Sequence, residues 1–210
     1  VEMFDSQLRK LIEPPLNAIG RGLASKDICA DHVTLLGGIF ALILAVLLAF
    51  GQGGSGVFLL FGLNRLCDGV DGAIARARGK TDFGGYLDIF CDFIFYGAVP
   101  FAFVLRDGAA NGTAAAFLLM AFYINGASYF GFALLAKGRN LQTIKRGEKS
   151  YYASYGLMEG GETIAFFALM ILFPGYFPPL AWIFGVLCLV TALLRLNAAR
   201  AACSDGNEFQ

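Results

Sequence analysis

Four of the five aspartates in one segment of this chain, DGVDGAIARARGKTDFGGYLDIFCD, are Asp68, Asp71, Asp88 and Asp92, and the segment lies between two strongly apolar stretches. Asp68 and Asp71 are three residues apart and Asp88 and Asp92 four, so on a helix each pair shares one face. A hairpin between the two helices brings those faces together. An aspartate near the middle of a membrane helix costs roughly 2.5–3.5 kcal/mol on insertion scales, so four of them represent roughly 10 kcal/mol that something must offset. Two Mg²⁺ or Mn²⁺ ions balance four carboxylates, and ligation by oxygen alone suits hard cations.

The residues around the pairs sharpen that chemistry. Gly72 follows the second aspartate and lets a ligand or another backbone approach where any side chain would obstruct it. Ala75 extends the small surface one turn on, and Arg76 offers a planar fork suited to phosphate. Gly84 permits close approach of the second of these helices to the first. Cations, a close-approach surface and a basic fork together describe a site for a diphosphate. Elsewhere, Glu159 and Glu162 share a helix face and either shape an acceptor pocket or pair with Arg195 or Lys149. Asn64, Arg65 and Asn125 lie within apolar stretches, where interhelical hydrogen bonding accounts for them. His32 is the only histidine, which excludes a His-based metal site or a Ser/His triad, and the five cysteines lack CxxC spacing and read as packing residues.

The elements that position these groups follow from composition. With 57% hydrophobic residues, 15% charged and 21 phenylalanines, the 210-residue chain has more apolar surface than a soluble globule can hide. It reads as one all-α membrane domain over 1–210, an interfacial segment over 1–30 leading into a bundle over 31–200. Residues 3–24 carry apolar side chains at three- and four-residue spacing with Arg9, Lys10 and Arg21 alongside, predicting an amphipathic interfacial helix interrupted at Pro14-Pro15. Six spans follow, near 32–50, 56–78, 83–105, 113–136, 151–173 and 179–199, each about long enough for a ~30 Å hydrocarbon layer. Fourteen of the sixteen Lys and Arg residues then fall on one side, which puts both termini and the aspartate segment in the cytoplasm.

On Asp68, Asp71, Gly72, Ala75 and Arg76, then seven residues, then Gly84, Asp88 and Asp92, the chain resembles the CDP-alcohol phosphatidyltransferase family, whose motif is D-x2-D-G-x2-A-R followed by G-x3-D-x3-D. The resemblance implies six spans behind an amphipathic helix, and transfer of a phospho-alcohol group from a CDP-linked donor, usually CDP-diacylglycerol, to an acceptor hydroxyl, with release of CMP. It further implies that Asp68, Asp71, Asp88 and Asp92 hold two Mg²⁺ or Mn²⁺ ions and that Asp92 takes the acceptor's proton. Nucleotide contacts are implied at Gly72, Ala75 and Arg76, at Thr34 and Asp31 of the Asp31-His32-Val33-Thr34 element, and at Thr81. A homodimer working on lipid from the cytoplasmic face of the inner membrane, with no nucleic acid, completes the expectation. Among acceptors, the basic stretch from Lys137 to Lys149 favours glycerol 3-phosphate over inositol, serine or choline, since a dianion gains from several cations; inositol phosphate is a further alternative within the same chemistry. A cation transporter or channel would also use intramembrane carboxylates, but it leaves Gly72, Ala75, Arg76 and Gly84 without a purpose.

Overall fold

The computed structural model describes residues 4–138 and 160–204, and all the secondary structure among them is helical. In chain order the helices are α1 (Phe4–Ala24), α2 (Ala30–Ala49), α3 (Ser55–Arg78), α4 (Asp82–Arg106), α5 (Gly108–Gly138), α6 (Gly160–Leu172) and α7 (Phe177–Ser204). Four of them, α2, α4, α5 and α7, are long and apolar enough to cross a membrane. The expected second span corresponds to α3, 24 residues long and interrupted by the polar groups of the aspartate segment. The expected fifth span is represented by the 13 apolar residues of α6. Most of the basic stretch up to Lys149, together with Glu159, lies outside the described residues.

Turn chemistry fixes the corners. Gly51 (φ 75°) and Gly54 (φ 82°) take left-handed backbone between α2 and α3, and Gly79 (φ 105°) ends α3. Thr81 caps α4, its hydroxyl accepting from the Gly84 N–H at 3.0 Å. Asp107 does the same for α5 by accepting from the Ala110 N–H at 3.0 Å.

Packing follows membrane rules, small residues inward and large ones outward. α2 buries Thr34, Gly37, Gly38, Ala41, Leu44, Ala45 and Leu48. Its opposite face exposes Leu35, Ile39, Leu42 and Val46 at helical spacing, which only a hydrocarbon solvent tolerates. A phenylalanine core joins α4, α6 and α7: Phe103 stacks on Phe177 at 4.0 Å between centroids, and Phe95 meets Phe167 edge-on at 4.8 Å.

Two details differ from the sequence reading. Helix α1 runs through Pro14 and Pro15 without a break. The segment just beyond them is clamped to α3: a Cβ on Gly20 would stand 2.6 Å from Ala73 Cβ, and one on Gly69 2.8 Å from Leu16 Cδ1. That contact compensates the lost backbone donors, and it turns part of the apolar face of α1 toward protein rather than lipid. The second difference concerns the hairpin: α2 packs against both α3 and α4, and the neighbour that Gly84 admits is the start of α2 rather than α3.

Candidate functional site

Two adjacent glycines on α2 set the distance between the acidic helices. A Cβ on Gly37 would lie 3.0 Å from Cys67 Cβ of α3, and one on Gly38 would lie 3.3 Å from Cys91 Sγ of α4. Cys67 precedes Asp68 and Cys91 precedes Asp92, so the two close approaches flank the carboxylates directly. The tighter of the two is at Gly37, where a side chain would push α3 away from α2, while Cys91 can rotate from Gly38.

Above that floor, Asp68, Asp71, Asp88 and Asp92 line one pocket together with Thr34, Gly37, Gly38, Asn64, Arg65 and Cys91. Oxygen atoms of Asp68, Asp88 and Asp92 all lie within 4.8 Å of one another. Ligands about 2.1 Å from an octahedral Mg²⁺ are separated by at most about 4.2 Å, so small side-chain rotations bring these three onto one ion. Asp71 is deeper, 5% exposed, and accepts a hydrogen bond from the Thr34 hydroxyl, which also lies 3.1 Å from the Ala30 carbonyl. Thr34 thus holds the innermost carboxylate of the pocket. The donor set is oxygen only apart from the adjoining Cys91 thiol, and it fits hard divalent cations.

Arg65 changes the electrostatics that the sequence implied. Its Nη2 donates to Asp92 Oδ1 at 3.2 Å and its Nη1 stands 3.7 Å from Asp68 Oδ2. The Tyr96 hydroxyl reaches the other oxygen of Asp92 at 3.4 Å. The sequence reading of Arg65 as interhelical glue is right about bonding between helices but misses that its partners are the site carboxylates. Asn64 is interhelical in the ordinary sense, its Nδ2 donating to the Gly37 carbonyl at 2.9 Å.

The remaining expected residues divide by position. Asp31 and Thr81 meet at Gly84 and are not among the residues lining the pocket: a Cβ on Gly84 would stand 2.9 Å from Thr81 Oγ1 and 3.2 Å from Asp31 Oδ1. Asp31 lies in the first turn of α2, where its charge complements the helix N-terminus. Gly72 and Ala75 are half-buried on α3. Arg76 is exposed and turned toward α1, its Nη2 donating to Asn17 Oδ1 at 2.9 Å. Arg195 donates to Asn125 Oδ1 at 3.1 Å and Ser128 Oγ at 2.7 Å, while its expected pairing with Glu159 falls outside the described residues. The clearest missed signal is the Gly37-Gly38 pair, readable as a small surface in an otherwise large-residue helix.

Comparison with known proteins bears on this geometry. Residues 27–196 match the profile described as CDP-alcohol phosphatidyltransferase. The chain is 42% identical over 194 residues to the inner membrane protein YnjF of Escherichia coli K12, covering 92% of this chain and 94% of that protein. It is 33% identical over 101 residues to the archaetidylinositol phosphate synthase of Pyrococcus horikoshii, covering 48% of this chain and 53% of that one. Its fold is similar to a crystal structure of the Mycobacterium tuberculosis phosphatidylinositol phosphate synthase PgsA1 with CDP-DAG bound, at a TM-score of 0.64 and 25% identity over 88% of this chain and 92% of that one. The same enzyme in complex with manganese and citrate matches at a TM-score of 0.67 and 24% identity over 88% of each chain.

Proposed function

This chain belongs to the CDP-alcohol phosphatidyltransferase family and is an enzyme of that class, and from that premise we propose that it transfers a phosphatidyl group from CDP-diacylglycerol to the hydroxyl of a small phosphorylated alcohol. The observation that carries the reading is the convergence of Asp68, Asp71, Asp88 and Asp92, from two helices, on one pocket. Those four aspartates would hold two divalent cations, Mg²⁺ or Mn²⁺. Held there, such cations would supply the positive charge that offsets a diphosphate and a departing CMP.

The chain's own residues supply the rest. The acceptor's hydroxyl oxygen attacks the phosphorus that bears diacylglycerol; a P–O bond to the acceptor forms, the P–O bond to CMP breaks, and the hydroxyl proton passes to Asp92. With its oxygens engaged by Arg65 and Tyr96, Asp92 is held in one orientation for that task. Asp31, Thr34, Thr81, Gly72 and Ala75 are assigned to the nucleotide. Arg76 joins them by exchanging a single neutral acceptor, Asn17, for a phosphate oxygen.

For the acceptor, the supporting observation is Arg195. It is 7% exposed, its described hydrogen-bond partners are neutral, and its buried Nε has no partner among the described residues. It stands one helix away from Asp92: Phe93 lies 3.2 Å from where a Cβ on Gly126 would be, and the adjoining Asn125 receives Arg195. A desolvated guanidinium at that level favours an anionic acceptor. Glycerol 3-phosphate is our first choice; the similarity to an archaetidylinositol phosphate synthase and a phosphatidylinositol phosphate synthase supports an inositol phosphate as the second.

The protein is an integral membrane protein. We read residues 1–210 as one domain, placed in a bacterial inner membrane with the aspartates facing the cytoplasm, where the fourteen-residue basic bias puts them, and assembled as a homodimer within the lipid. The test is purified enzyme in detergent with CDP-diacylglycerol and Mn²⁺, offered glycerol 3-phosphate, inositol phosphate, inositol, serine or choline, reading CMP and lipid product together. Consumption of a phosphorylated alcohol is expected; exclusive use of a neutral or zwitterionic one overturns the acceptor assignment and leaves the reaction class standing.

A further inference from the structure

Arg65 is the only basic side chain among the described residues that line the aspartate pocket, and no fixed position of the family motif includes it. Its place does not depend on the carboxylates alone. Nε donates to Asn64 Oδ1 at 2.8 Å, and Asn64 Nδ2 in turn donates to the Gly37 carbonyl of α2 at 2.9 Å. The guanidinium carbon lies 4.9 Å from the centroid of the Phe95 ring. With the side chain only 13% exposed, a neutral scaffold from the α2 backbone through Asn64 to Phe95 fixes the fork. From that seat its two Nη atoms reach Asp92 Oδ1 and Asp68 Oδ2.

We propose that Arg65 is a built-in counter-cation and positioning residue of the metal site: it remains on Asp92 when divalent cations bind, holding that carboxylate toward the acceptor and lowering the affinity of the site for cations. The proposal rests on the two-cation reading of the four aspartates. Four carboxylates and two dications alone are neutral; with Arg65 included the loaded site carries a formal charge of +1, which suits a diphosphate donor. Arg65 therefore acts on two quantities in opposite directions, weakening cation binding and supporting turnover.

The opposition is the test. Full-length protein in detergent is titrated with MnCl₂, free Mn²⁺ being followed by electron paramagnetic resonance, and CMP release is measured at saturating Mn²⁺ for wild type, Arg65→Gln, Arg65→Lys and Asp88→Asn. Removing a unit charge roughly 5 Å from a dication is worth on the order of tenfold in affinity even at the dielectric of bulk water. Arg65→Gln is expected to bind Mn²⁺ about tenfold more tightly while turnover falls at least about tenfold. Arg65→Lys is expected to keep wild-type Mn²⁺ affinity with reduced turnover, since an ammonium cannot span Asn64 and Asp92 together. A purely structural arginine would weaken both quantities at once. Unchanged or weaker Mn²⁺ binding in Arg65→Gln, or tighter binding with full turnover, overturns the proposal; should that variant aggregate, a change of Mn²⁺ affinity in Arg65→Lys overturns it. Failure of the underlying reading looks different: wild type then binds no Mn²⁺, or Asp88→Asn binds it as wild type does, and the proposal falls with it.

Discussion

Replacing Gly37 by alanine should damage catalysis far more than it damages the fold. The added Cβ would stand 3.0 Å from Cys67 Cβ, whereas carbon atoms rest about 3.5–4.0 Å apart, so α3 must retreat from α2 by roughly 0.5–1 Å. Overpacking of that kind costs about 1–3 kcal/mol, and the better helix propensity of alanine returns up to about 1 kcal/mol. Thermal unfolding should therefore shift by only a few degrees. Asp68, next to Cys67, moves with α3 away from Asp88 and Asp92, and a displacement near 1 Å at reacting groups costs on the order of 10²-fold in rate. Gly38→Ala meets only Cys91 Sγ at 3.3 Å, the end of a side chain that can rotate, so its loss should stay under about tenfold. Gly62 and Gly97, on the same two acidic helices, have nothing within 4 Å of an added Cβ, and their alanine variants should keep wild-type activity. The assay is CMP release against Mn²⁺ concentration, beside a thermal melt in detergent. Adding Cys67→Gly to Gly37→Ala should restore turnover by removing the atom that clashes. Full turnover in Gly37→Ala alone would refute the claim that α2 sets the spacing of the carboxylates.

Thr34→Val removes the hydroxyl that partners Asp71, a carboxylate 5% exposed, and should cost about 1–3 kcal/mol in denaturation measurements and most of the activity, with Thr34→Ser near wild type; unchanged stability and rate would contradict the pairing. In a background without native cysteines, Ser55→Cys should react with impermeant thiol reagents from the periplasmic side and Lys80→Cys only from the cytosol; reversed labelling would take the aspartates away from cytosolic nucleotides. Arg195→Gln should raise KM for the phosphorylated acceptor by about tenfold or more and leave KM for CDP-diacylglycerol unchanged; an effect on the donor alone would reassign Arg195.

How far the sequence could be read follows from what sets each feature. The pairing of the aspartates and the helix boundaries were legible because i, i+3 and i, i+4 spacing, capping chemistry and glycine turns are local properties, whereas the bond from Thr34 to Asp71 joins two helices. Third partners are not local. That Arg65 lies on Asp92 depends on Asn64 reaching the α2 backbone and on the Phe95 ring, a convergence of three helices. The separation of α3 from α4 by α2 is equally invisible in a motif that runs through both acidic helices, so Gly84 was matched to the wrong neighbour. Helix α1 passing through Pro14-Pro15 is a case of tertiary contact, Gly20 on Ala73, overriding a local breaker. The number of spans was harder still, because the aspartates and arginines of α3 leave it less apolar than α2, α4, α5 and α7.

The central claim is that four carboxylates hold the cations on which phosphatidyl transfer depends, and one measurement meets it most directly. Purified enzyme with CDP-diacylglycerol and a phosphorylated alcohol is assayed for CMP and lipid product with Mn²⁺ or Mg²⁺, after chelation, and after metal is restored, for wild type, Asp71→Asn, Asp88→Asn and Asp92→Asn, all checked for folding. The account predicts equimolar CMP and lipid product from wild type, none in chelator, recovery on adding metal back, and no turnover in any of the folded variants. Product formed in chelator, or full activity in Asp71→Asn or Asp88→Asn, would contradict it.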